Sequence, residues 1–245
     1  MVAIGLARTS RPSPTLVSVA TWLALFCYVV AVKLALDAFF PQAFAAEEQR
    51  SAFAWPTVAL VAALGVVGAA LAARTGFPAP DTALAAPRRG LLLPAAIGVG
   101  IAALNVAFDL TTGASRALNA AHGVGQLYTD FPSMLLIFTA AAVYVEPIYR
   151  LLPIPLLLWL VSSLALRGRA QAPVFWALAV LFSLFEPLDQ ARVVTGIPFA
   201  WWAFSVAEGF GLNLTQAVFF RRSGFVASIA VRLGYYLLWH VLYVH

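Results

Sequence analysis

Long apolar runs, separated by short clusters of arginine, proline and glycine, recur along the whole chain. Each run is close to the ~20 residues a helix needs to cross a ~30 Å hydrocarbon core, and none shows the strict alternation of a half-buried strand. The pattern predicts spans at 15–40, 54–73, 91–110, 131–149, 151–166, 173–188, 199–220 and 225–244. The connection 74–90 is rich in Pro and Ala and carries Arg88 and Arg89, and the polar stretch 111–130 predicts a short surface helix. Neither is long enough to be a domain, and no fixed-period repeat is present. The expectation is one all-α domain over 1–245, a polytopic transmembrane bundle of seven or eight spans.

Composition agrees with that reading. Of 245 residues, 62% are hydrophobic and 10% charged, with mean hydropathy +0.90. Soluble domains carry about 25% charged residues, so most of this surface is not water-facing. The net charge of +5 comes from arginines scattered between apolar runs, with no basic stripe and no aromatic platform, which excludes nucleic acid as the expected partner. The expected partners are the lipid bilayer and a membrane-protein or peptide partner. The expected location is a prokaryotic plasma (inner) membrane. Cys27 is the one cysteine, so an intrachain disulfide and a multi-cysteine zinc site are excluded. Ala43-Phe44-Ala45 resembles a signal-peptidase site. The run before it is longer than a ~7–15-residue signal core, and Lys33 and Asp37 interrupt it, so a retained first span is expected.

Arginine placement bears on topology. With the N-terminus cytoplasmic, Arg8, Arg11, Arg74, Arg88 and Arg89 fall on the inner side, as the positive-inside rule expects. Eight separate spans put Arg167, Arg169, Arg221 and Arg222 outside. Merging 131–166 into one broken segment returns them inside. Pro153 and Pro155 are positioned to break such a segment, because proline removes a backbone donor and crowds the preceding turn.

Charged residues lie within these runs, where each costs at least ~2.5 kcal/mol in hydrocarbon. Glu146 and Arg150 are spaced i,i+4 and share a helical face. Glu146-Pro147 and Glu186-Pro187 each leave a carbonyl one turn back without its donor. Arg232, Tyr236 and His240 recur every fourth residue on the last span, with Ser228 extending the stripe. Glu208, Asn213, Thr215 and Gln216 lie on the 199–220 span, and Lys33 with Asp37 forms another i,i+4 pair. The cost of burying each charge alone predicts that Glu146, Arg150, Glu186 and Arg232 converge. A structural ion-pair cluster and a chemical site are both compatible with that. Lys33–Asp37 reads as a structural or snorkelling pair, Glu208 with Gln216 as interhelical hydrogen bonding, His122 as solvated, and His240 as a headgroup-level residue or a catalytic one. Ser163 and Ser183 have no base at helical spacing, and Gly98-x-Gly100 is a packing signal. No zinc-protease, serine-elbow or Walker motif is present.

Over its C-terminal half, roughly 131–245, the chain resembles the CPBP family, membrane endopeptidases that include type II CAAX prenyl proteases and bacteriocin-processing relatives. The family pattern is Glu-Glu-x-x-x-Arg, then Phe-x-x-x-His, then His-x-x-x-Asn/Asp. The corresponding residues here are Val145-Glu146 with Arg150, Phe182 with Glu186, and Arg232 with Tyr236, after a basic turn at Arg221-Arg222-Ser223-Gly224. The resemblance implies a membrane hydrolase in which a glutamate activates water without a cofactor. Carried onto this chain, Glu146 is the general base and Arg150 its orienting partner. Glu186 and His240 are secondary acid/base groups, and Tyr236 is a hydrogen-bond donor. Arg232 occupies a histidine position. With Glu and Arg at both histidine positions, the chain is either a divergent endopeptidase or an inactive relative. The alternatives are a non-enzymatic scaffold or subunit, marked by Glu–Arg pairs in contact, and a small proton-coupled transporter, marked by facing glutamates.

Overall fold

The computed structural model describes residues 12–43, 47–122, 131–193 and 196–243, and every regular element among them is helical. Arg8, Arg11 and two residues of the signal-peptidase-like triplet, Phe44 and Ala45, lie outside the described residues, as does the side chain of His122.

Proline sets many of the helix starts. Helix α1 (Pro14–Phe39) opens with Pro14 in its first turn and Ser13 as N-cap, whose hydroxyl accepts from the Leu16 N–H at 3.2 Å. The short helix α2 (Glu47–Ala52) precedes α3 (Trp55–Arg74). Helices α3, α4 (Pro80–Ala85) and α5 (Leu93–Thr112) each carry a proline in the first turn. A π-helical turn at Arg88–Leu92 runs directly into α5. The polar stretch after α5 contains the surface helix expected there, α6 (Ala114–His122).

Among the described residues, six helical stretches are long and apolar enough to cross a membrane: Pro14–Phe39, Trp55–Arg74, Arg88–Thr112, Ser133–Ala165, Gln171–Arg192 and Phe225–Tyr243. The chain is therefore an all-helical integral membrane protein. Leu16, Leu34, Leu60, Leu104 and Phe185 are more than half exposed, the expected condition of a lipid-facing surface. Of the two readings of 131–166, separate spans at 131–149 and 151–166 or one broken segment, the structure has the second, a single track of 33 residues. It comprises α7 (Ser133–Tyr144), a π turn at Pro147–Leu151, α8 (Pro153–Leu158) and a second π turn at Trp159–Ala165. Proline explains the break: Pro147 has no N–H to donate to the turn before it, and the chain re-pairs in a wider turn, with the Leu152 N–H reaching the Pro147 carbonyl at 3.3 Å.

Helix α9 (Gln171–Val193) follows, then the 25-residue α10 (Phe199–Ser223), which is too polar to count among the six. Gly224, with φ of 83°, turns α10 sharply into α11 (Phe225–Tyr236), which continues as a π turn over Leu237–Tyr243. This last segment is the centre of the bundle. Half of its span is buried, against 17% for Arg88–Thr112. It packs on α5, α7 and α10. The α5–α11 crossing depends on small residues: a Cβ on Gly98 would strike the Val231 carbonyl, and one on Gly234 the Ala95 carbonyl. Gly98 is thus a packing residue as expected, whereas Gly100 faces open space.

A buried double ion pair beside an aromatic chamber

The π turn after Glu146 carries Arg150 back beneath it. Arg150 Nε donates to Glu146 Oε2 at 3.1 Å, and both side chains are at most 2% exposed. On α9, Pro187 fits against α10 because position 209 is glycine; a Cβ there would lie 2.8 Å from the Pro187 Cβ. This close approach sets Glu186 next to Arg232 of α11. The Arg232 guanidinium grips Glu186 through two bonds, Nη1 to Oε1 at 2.7 Å and Nη2 to Oε2 at 2.6 Å.

Asn213 of α10 joins the two pairs. Its Oδ1 accepts from Arg150 Nη1 at 2.6 Å and from Arg232 Nη2 at 2.8 Å, while its amide donates to the Gly209 carbonyl at 2.9 Å. Gln216, one turn further along α10, accepts from Arg232 Nε at 3.2 Å and donates to the Ser228 carbonyl at 3.2 Å. Arg232 Nη1 also donates to the Tyr236 hydroxyl at 2.9 Å. The four charged residues expected to converge do so, from three separate segments, and α10 adds the acceptors that tie them together. Every nitrogen of the Arg232 guanidinium is committed. Within this cluster, Glu146 Oε1 and Arg150 Nη2 are buried without a hydrogen-bond partner among the described residues.

The Arg232–Tyr236–His240 stripe survives the π turn. His240 stacks on Phe138 with ring centroids 4.0 Å apart and meets Tyr236 edge-on at 4.9 Å. It therefore packs among aromatic rings of the bundle, three residues from the end of its span. Glu208 and Gln216 make interhelical hydrogen bonds to α11, as expected, but with different partners. Gln216 belongs to the ion-pair network, whereas Glu208 meets the Tyr235 hydroxyl, which accepts from Asn105 at 2.9 Å. Lys33 and Asp37 bond each other at 2.6 Å, with Lys33 against the Trp55 ring, as expected of a structural pair.

Sequence reasoning did not anticipate the chamber above this network. It has a volume of about 320 Å³ and lies where the C-terminal ends of α5 and α9 meet the N-terminal end of α10 and the last π turn. Glu186, Arg232, Tyr236 and His240 line its inner end, and Trp201, Trp202 and Trp239 its walls. Glu146 and Arg150 do not line it. Three tryptophans near span ends together with Glu208 were the available sequence signal. They read equally well as an interfacial aromatic belt. Among the described residues, no group of three or more His, Cys, Asp or Glu side chains is placed to hold a metal. No protein-family model, curated protein or solved structure matches this chain, so the CPBP resemblance rests on the motif residues alone.

Proposed function

We propose that this chain is a non-enzymatic membrane scaffold, an inactive relative of the CPBP-like endopeptidases it resembles, in which the motif positions hold the bundle together. The observation that carries the reading is the closed bidentate contact between Arg232 and Glu186 at the two positions where the family pattern has histidines. A guanidinium stays charged at any working pH and cannot exchange protons with a substrate. Glu146, the residue carried over as general base, is fully buried, paired with Arg150, and absent from the lining of the chamber. A base must reach its water within hydrogen-bond distance.

The same reading gives seven crossings: the six apolar stretches and α10, whose inward-facing Asn213, Gln216 and Arg221 lower its hydropathy. With the N-terminus cytoplasmic, Arg74, Arg88, Arg89, Arg167, Arg169, Arg221 and Arg222 all lie on the inner side. The chamber then faces the opposite side of the membrane. The exposed apolar faces meet lipid or a membrane-protein partner.

The test is purified protein against a membrane-peptide library, wild type beside Glu146→Gln. The proposal expects no cleavage by either. Cleavage by the wild type that is lost in Glu146→Gln would restore the protease reading.

A further inference from the structure

We propose that the chamber is a binding site for a small organic cation with an ammonium head, held by the Glu208 carboxylate and the surrounding aromatic rings. The charges facing the cavity do not balance. Glu186 is matched by Arg232. Asp109 is engaged by neutral groups: its oxygens accept from the Tyr243 hydroxyl at 2.8 Å and the Ser115 N–H at 2.6 Å. Glu208 is in no ion pair among the described residues, feels Arg232 only at longer range, and its Oε1 is buried without a hydrogen bond. Arg116 is exposed, lies by Tyr243, and does not line the chamber. The site therefore carries an excess of acid.

The walls select among cations. Phe108 and Phe204 stack with centroids 3.8 Å apart, and Trp201, Trp202 and Trp239 complete an aromatic enclosure. Ring faces attract an alkylammonium group electrostatically while accommodating its methyl groups, and tryptophan does so best. A bare metal ion needs several oxygen, nitrogen or sulfur ligands, and no group of three or more His, Cys, Asp or Glu side chains is assembled for one among the described residues. An anion would find Arg232 with all its nitrogens already committed. The volume of about 320 Å³ is at the small end of ligand pockets, which run to roughly 300–1,000 Å³, and suits a compact head group. Binding goes beyond the scaffold reading and does not depend on it, since it concerns residues of the chamber and not the Glu146 pair.

The experiment uses the detergent-purified full chain and two probes of equal shape, choline and its neutral isostere 3,3-dimethylbutan-1-ol, at fixed ionic strength. Tryptophan fluorescence and melting temperature are followed during titration. Choline is expected to produce a saturable fluorescence change and to raise the melting temperature. The neutral alcohol is expected to bind at least ~10-fold more weakly, the equivalent of one 1.4 kcal/mol interaction. Glu208→Gln should lose the preference for choline, and Trp202→Ala should weaken choline while leaving the fold intact. The wild-type comparison of the two probes decides the matter even if a variant fails to fold. Equal binding of both probes, no saturable choline signal, or undiminished choline affinity in folded Glu208→Gln would overturn the proposal.

Discussion

Replacing Arg232 with leucine removes six hydrogen bonds at once: three to the oxygens of Glu186 and Asn213, two to Gln216 and one to Tyr236. The larger consequence is electrostatic. Glu186 is 6% exposed and loses its direct counter-ion in a low-dielectric interior. Removing one member of a buried pair typically costs ~3–5 kcal/mol, because the remaining charge is stranded. Arg150 acts on Glu186 at longer range and compensates in part. That puts the expected loss at the lower end, about 3 kcal/mol. At about 2–4 °C per kcal/mol for a chain of this size, the melting temperature should fall by roughly 6–12 °C. Arg222→Leu is the control. That side chain is exposed, and surface changes usually stay within ~0.5 kcal/mol. The assay is thermal unfolding of both variants in one detergent, followed by loss of monodisperse protein. Equal melting of the two variants would refute the reasoning, because it would mean that Glu186 does not depend on Arg232.

Two further outcomes follow from the same geometry. Gly98→Leu should separate α5 from α11 and cost at least the ~1–3 kcal/mol typical of overpacking. Gly100→Ala, with nothing within 4 Å of the added methyl, should melt like the wild type. Asn213→Leu leaves Arg150 Nη1 without its acceptor, while Arg232 Nη2 keeps Glu186 and Gln216, and should cost about 1–3 kcal/mol for the one stranded group, whereas Thr215→Leu, outside the network, should be close to neutral. Melting curves of the four variants check both statements.

The sequence made the charged cluster legible because the cost of an isolated charge in hydrocarbon leaves few alternatives to convergence. Glu146 and Arg150 were readable as a pair from their i,i+4 spacing. Pairing across helices, Glu186 with Arg232 included, was readable only as an option, because it depends on how each helix is rotated about its axis. Asn213 illustrates this: its presence on the 199–220 segment was visible, but its Oδ1 bridges two arginines only because Gly209 lets α9 approach α10. The break at Pro147 was readable, and arginine placement pointed to one broken 131–166 segment, but the apolar pattern alone left two spans open, since a proline in an apolar run is equally compatible with a loop or a widened turn. Helix α10 was readable as the run 199–220, within three residues of its end, although its inward-facing polar residues lower its hydropathy. The chamber left little trace in the sequence. Its walls come from segments far apart in the chain, and each tryptophan taken singly looks like an interfacial anchor.

The central claim is that Arg232 and Glu186 are matched to each other and serve structure. A double-mutant cycle measures that directly, with Arg232→Leu and Glu186→Leu made singly and together and unfolding followed under identical conditions. The account predicts that Arg232→Leu costs less in the Glu186→Leu background than in the wild type, by on the order of 2 kcal/mol, because no carboxylate is left stranded. Equal costs in both backgrounds would contradict it and would show that the two residues do not depend on each other.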